Sequence, residues 1–95
     1  MTISLKEYGP LLSDKKVGEE ILKRIKLDLQ KSEVVNIDFT NITSMATFCA
    51  KQIFGNLYLE LGPEKFFERI KFMKVNEDLK IIIKMGIQNA IEESK

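Results

Sequence analysis

Val34-Val35-Asn36-Ile37-Asp38-Phe39, followed by Thr40-Asn41-Ile42-Thr43-Ser44-Met45-Ala46-Thr47 and then by an apolar helical run to Leu61, decides the fold of this chain. Val35, Ile37 and Phe39 alternate with Val34, Asn36 and Asp38, the period of a pleated strand. β-Branched and aromatic side chains suit that surface. The polar second face predicts a sheet covered on one side, because a strand buried on both faces reads as a continuous apolar run. The hydroxyl-rich segment after Phe39 predicts a loop. In the helix beyond it, Ala46, Ala50, Ile53, Phe54, Leu57 and Leu61 share one arc and are expected to face the sheet. Phe48, Gln52, Gly55 and Leu59 share the opposite arc, a second stripe expected either to pack under the flanking helices or to form a surface patch for a partner or a second copy.

Outward from this unit the pattern repeats. Thr2–Leu5 alternates and predicts a short edge strand, broken at Tyr8-Gly9-Pro10. Ser13 or Asp14 can cap a helix whose face is Val17, Ile21, Leu22, Ile25 and Leu29. Gly18 lies within that face and implies close approach to the sheet, since glycine inside a helix costs about 1 kcal/mol against alanine. Glu19 and Lys23, and Glu20 and Arg24, stand at ion-pair spacing on the solvent side. Gly62-Pro63 stops the central helix, and Glu64–Arg69 predicts a short helical turn. Ile70–Val75 predicts a third strand. Asn76 then caps a helix that buries Leu79, Ile82, Ile83, Ile87 and Ala90 and turns Ile81 and Met85 outward. Lys71, Lys74, Lys80 and Lys84 read as a solvated face. Strand and helix alternate three times, in the order β-α-β-α-β-α over residues 1–95, which predicts one layered α/β domain with a small, mostly parallel sheet.

Composition narrows the function. Ninety-five residues with 44% apolar content can build one modest core. Fifteen basic and fourteen acidic residues are interspersed, so no basic stripe suggests a nucleic-acid partner. The chain has no histidine, which removes the commonest general base and the commonest metal ligand. No cofactor motif appears. Cys49, the single cysteine, reads as a small buried hydrophobe. Asp38 is expected to bind backbone amides of the loop and not to act as a catalytic acid, because no second carboxylate accompanies it. Asn41-Ile42-Thr43 reads as a chance glycosylation sequon. Met1–Glu7 lacks the pattern of a secretory leader and no apolar run reaches membrane-spanning length, so a cytoplasmic location without a membrane partner is the expectation.

Ile37-Asp38-Phe39-Thr40-Asn41-Ile42-Thr43-Ser44-Met45 resembles the hydrophobic–Asp–hydrophobic–Ser/Thr–x–hydrophobic signature of STAS domains, found in bacterial anti-sigma factor antagonists and sulfate transporter tails. In the antagonists a Met-Asp-Ser-Ser/Thr-Gly turn carries a serine phosphorylated by a kinase-type ATPase. Here the turn reads Met45-Ala46-Thr47-Phe48-Cys49, with alanine for the aspartate and threonine for the serine. The helix start Thr47-Phe48-Cys49-Ala50 and the lead Tyr8-Gly9 and Leu11-Leu12-Ser13 are more similar to a STAS-like family of unknown function. That resemblance implies a bacterial α/β sandwich without catalytic activity that binds a protein, such as a kinase-type ATPase or a transcription regulator. Thr40, Thr43, Ser44 and Thr47 are expected to cap the helix and close the turn, or one of them, best Thr47 at the helix N-terminus, to be the phosphorylation candidate. The binding surface is expected at Asp38, Thr40, Thr43, Ser44, Thr47, Phe48, Gln52 and Leu59. The alternative is a stand-alone inhibitor or accessory subunit, of mobile-element type, that blocks an enzyme by covering its surface.

Overall fold

The computed structural model describes residues 1–95. Three parallel strands, β1 (Thr2–Ser4), β3 (Val35–Asp38) and β5 (Ile70–Met73), form the sheet in the order β1-β3-β5, with the strand of the deciding stretch at its centre. The register aligns Ile3 with Ile37 and Ile37 with Phe72 in one apolar row. Val35 and Ile37 are buried under the helices, whereas Thr2, Ser4 and Lys71 on the other face are exposed. One covered face is what the alternation predicts.

α1 (Lys15–Lys31) is capped by Asp14, whose carboxylate accepts from the Lys16 N–H at 2.7 Å. Its buried residues are Gly18, Ile21 and Ile25. Neither predicted ion pair closes along it. Arg24 instead binds Glu7 and the Tyr8 hydroxyl on the turn Lys6–Tyr8. Arg69 donates to the Leu29, Ser32 and Glu33 carbonyls, satisfying acceptors that the end of α1 leaves free.

α2, residues 47–61, contains a π-helical segment, Lys51–Gly55, between the α-helical turns Thr47–Ala50 and Asn56–Leu61. α3 (Pro63–Arg69) follows at once, and α4 (Glu77–Glu93) closes the chain, capped by Asn76, which accepts from Leu79 N–H at 2.8 Å. The helical reading of residues 81–83 therefore holds, and Ile81 and Met85 are exposed. Phe39, Phe54 and Phe66 are fully buried, each contributing about 1.5–3 kcal/mol by removal from water. Phe72 links them, with ring centroids 6.1, 5.3 and 6.2 Å from theirs.

The simple alternation of three strands and three helices is interrupted. Leu11–Leu12 (β2) pairs in parallel with Ser44–Met45 (β4), a second, two-stranded sheet. The segment expected as a plain loop is therefore pinned to the N-terminal lead of α1. The third strand is also shorter than predicted, because Lys74 takes a left-handed conformation (φ 58°) that ends it at Met73.

Gly86 meets α2 so closely that a Cβ there would lie 2.6 Å from the Ala50 carbonyl carbon and the Lys51 nitrogen. Gly18 makes its close approach to the Gln52 side chain, not to the sheet as expected. α2 is thus clasped by α1 on one side and α4 on another.

Candidate functional site

The predicted surface divides into parts that serve the fold and parts left free. At the end of β3, one Asp38 oxygen accepts from the Thr40 N–H at 2.9 Å and from the Thr40 hydroxyl at 2.6 Å. The Thr40 hydroxyl and then its backbone amide hold the Asp38 carboxyl below its ordinary value, against an opposing effect of burial and with a lesser contribution from the Lys74 charge. A group held ionised in this way suits a structural acceptor and not a proton donor, which needs a pKa raised toward the working pH. Phe39-Thr40-Asn41-Ile42 closes as a turn through Ile42 N–H to Phe39 carbonyl, 2.9 Å, with Asn41 left-handed (φ 66°). Ile42 drops into the core.

Thr43 is also tied down. Its hydroxyl donates to the Pro10 carbonyl at 3.0 Å and its N–H to the same oxygen at 2.8 Å. Ser44 lies on β4, half-buried, and its hydroxyl makes no hydrogen bond within the chain. Thr47 is the first residue of α2. The preceding Ala46 provides no side-chain cap, and the first helical hydrogen bonds to its carbonyl come from Cys49 and Ala50. The N–H groups of Thr47 and Phe48 therefore lie outside the helical ladder, beside an unpartnered Thr47 hydroxyl. Phe48 follows with 45% of its surface exposed.

The rest of the outer stripe does not join them. The Gln52 Nε2 donates to the Lys15 carbonyl at 3.0 Å, and its Oε1 is buried against α1 without a partner. Gly55 is buried under α4, where a Cβ would meet Ala90 at 2.7 Å. Regular 3.6-residue spacing puts Gly55 on the arc opposite the sheet. The wider π turn over Lys51–Gly55 brings it inside. Leu59 is 47% exposed, but eleven residues along a helix from Phe48, or ~16 Å. Of stripe and loop, Ser44, Thr47 and Phe48, within five residues of one another, keep groups that the fold does not use, and Leu59 stands apart from them.

Cys49, next to the patch, points inward, and its Sγ approaches the Asp14 carbonyl at 3.6 Å. Burial, reinforced by the Asp14 charge, pushes its thiol up. A thiol so held stays protonated and unreactive near neutrality, as its reading as a small hydrophobe implies. No group of three or more His, Cys, Asp or Glu residues is placed to hold a metal ion. No helix is long and apolar enough to cross a membrane.

Sequence reasoning missed two features. The Pro10 carbonyl, which anchors Thr43 and Ser44, is invisible because two-residue strands show no alternation. The second is a cleft of about 520 Å³ between β5, α3 and α4, whose rim includes three of the four lysines expected to be only a solvated face.

A parallel α/β layer with helices on one face of the sheet, and a hydroxyl-bearing strand–turn–helix at its centre, defines the class. The chain belongs to the family described as the STAS-like domain of unknown function (DUF4325), whose sequence model matches residues 17–80, from the first turn of α1 to the first turn of α4. No curated protein and no solved structure matches the chain.

Proposed function

We propose that this STAS-like domain is a protein-interaction module without catalysis of its own, and that its partner docks on the start of α2. The observation that carries the reading is the split among the hydroxyls: Thr40 and Thr43 are consumed by the fold, whereas Ser44 and Thr47 stay unpartnered beside half-exposed Phe48. An aromatic anchor flanked by groups free to donate and accept is a composition that protein interfaces favour. The β2–β4 pairing and the helix hold the patch in one shape, which lowers the ordering cost of binding.

Thr47 is the regulatory position of this proposal. A kinase-type ATPase transfers the γ-phosphoryl group of ATP to its Oγ1, with loss of the hydroxyl proton and release of ADP. The added charge then stands among free N–H groups at a helix N-terminus, where the dipole favours it. The partner is that kinase or a transcription regulator it controls.

The test is capture of partners by the tagged full chain, comparing the wild type with Phe48→Glu, Thr47→Ala and Thr47→Glu. A partner lost with Phe48→Glu, and shifted about tenfold or more in affinity by Thr47→Glu, supports the switch. Binding that needs Phe48 but ignores Thr47 and ATP supports the alternative of an inhibitor covering an enzyme's surface. Capture unchanged by all three substitutions overturns the proposed surface.

A further inference from the structure

The cleft beside β5 shares no residue with the patch at the start of α2. It opens where the sheet ends. β5 has one neighbour, β3, so its outer edge carries backbone groups that no strand pairs. In a parallel ladder successive residues turn their N–H and C=O groups to opposite sides. The Met73 carbonyl accepts from Phe39, the residue that follows β3, so the groups of Phe72 face the open edge. Facing that edge across the cleft is α4. A sheet edge and a helix separated by a groove form a geometry that receives an extended peptide as an added strand.

The lining states what such a peptide carries. Phe66, Phe67, Ile83 and Ile87 make the cleft apolar. Phe66 is fully buried, with its ring edge-on to Phe67 at 5.1 Å, whereas Phe67 is exposed. The floor is thus the outer end of the core's own aromatic cluster, rigid below and open above. A cleft of about 520 Å³ accepts a bulky aliphatic or aromatic side chain with room to spare.

The charged residues of the lining are all cationic. Lys80 and Lys84 lie one turn apart on α4, Lys71 lies on β5, and no acidic residue lines the cleft. Lys71 donates to the Phe67 carbonyl at 2.7 Å, and Lys80 reaches the exposed Glu77 at 3.3 Å. An exposed pair of that kind contributes little and is easily exchanged. Lys84 has no partner within the chain. Two cations one helical turn apart, with no acidic residue in the lining, are complementary to an occupant that carries more than one negative charge.

We propose that the β5–α4 cleft binds an extended acidic segment of a partner protein. That segment adds a strand to the free edge of β5 and seats one bulky apolar side chain on Phe66 and Phe67. Its carboxylates meet Lys80 and Lys84. The site is separate from the Thr47–Phe48 patch and stands or falls independently of it.

The experiment selects random peptides displayed on phage against the full chain and against its Lys80→Glu, Lys84→Glu double variant. Both side chains are exposed, and an unchanged melting curve confirms that the variant folds. The wild type is expected to enrich peptides with one bulky apolar residue flanked by acids, and the variant to enrich basic flanks instead. The synthesised wild-type peptide should bind the variant about tenfold or more weakly. Its binding should slow hydrogen exchange at the Phe72 amide, and Phe48→Glu should leave its affinity unchanged, which separates this site from the patch. Enrichment with no acidic preference, or exchange at Phe72 unaltered in the complex, overturns the proposal. So does displacement of nothing but a fatty acid such as laurate from the cleft, or occupation by a second copy of the chain.

Discussion

The two flanks of α2 are built to opposite rules. Where α4 crosses it, Ala50 and Gly55 meet Gly86 and Ala90 at distances that leave no room for a further methyl group. At its N-terminal turn, Thr47 and Phe48 carry an unpartnered hydroxyl and a half-exposed ring. The first region is a crossing of small residues packed backbone against backbone. The second has free polar groups that the fold does not require. On the proposed reading, stability and recognition draw on different parts of one helix, so that substitution can separate them.

The largest effect is expected at the closed flank. Gly86→Val drives side-chain carbons into the Ala50–Lys51 backbone, which has no flexible end to move aside. A loss of ~3 kcal/mol or more is expected in denaturant unfolding, at the upper end of overpacking costs. A loss under about 1 kcal/mol would mean that the crossing yields and that the contrast between the flanks is false.

Gly18→Ala tests the same geometry where it is soft. Here the added Cβ meets only the end of the Gln52 side chain, whose Oε1 already lacks a partner. Gln52 can swing outward, giving up its bond to the Lys15 carbonyl, while alanine adds about 1 kcal/mol of helix propensity. The expected net change is within ~1 kcal/mol of zero, and Gln52→Ala in the same chain should make it stabilising.

Asp38 supplies a smaller, pH-dependent effect. Its carboxyl is held below the ordinary value chiefly by the Thr40 hydroxyl, so its contribution is present above the unfolded pKa of about 3.9. It is lost as pH falls through the lower folded value. The melting temperature of Asp38→Ala should lie slightly below that of the wild type at pH 7, and the gap should narrow in acid below about pH 4. A gap that widens there would assign Asp38 a different partner.

Much of this architecture was legible. The alternation of Val35, Ile37 and Phe39 placed the central strand and its covered face, and the strand–helix order implied parallel pairing. Asn76 marked the start of α4 despite the β-branched run Ile81–Ile83. What was hidden has physical causes. A π turn breaks the periodicity on which helical faces are read, so sequence alone left open whether Gly55 packs under a flanking helix or faces out. Two-residue strands have no period, so the Thr40–Thr47 segment read as a loop. The hydroxyls were all visible, but sequence does not say which find an acceptor, and the Pro10 carbonyl that takes Thr43 lies thirty-three residues away. Gly86, whose packing is the tightest, stood in the sequence as one more helical glycine. Small residues at Ala50, Gly55, Gly86 and Ala90 were the available signal for that crossing.

The separation of recognition from stability is tested most directly by Phe48→Glu, with thermal unfolding and partner affinity measured on the same protein. The ring is half-exposed and lies in the first turn of a helix, where a carboxylate is favourable, so unfolding is expected to stay within ~0.5 kcal/mol of the wild type. Affinity for the captured partner is expected to fall tenfold or more, on the order of a hot-spot loss. Intact stability with intact binding would place the partner elsewhere and contradict the central claim.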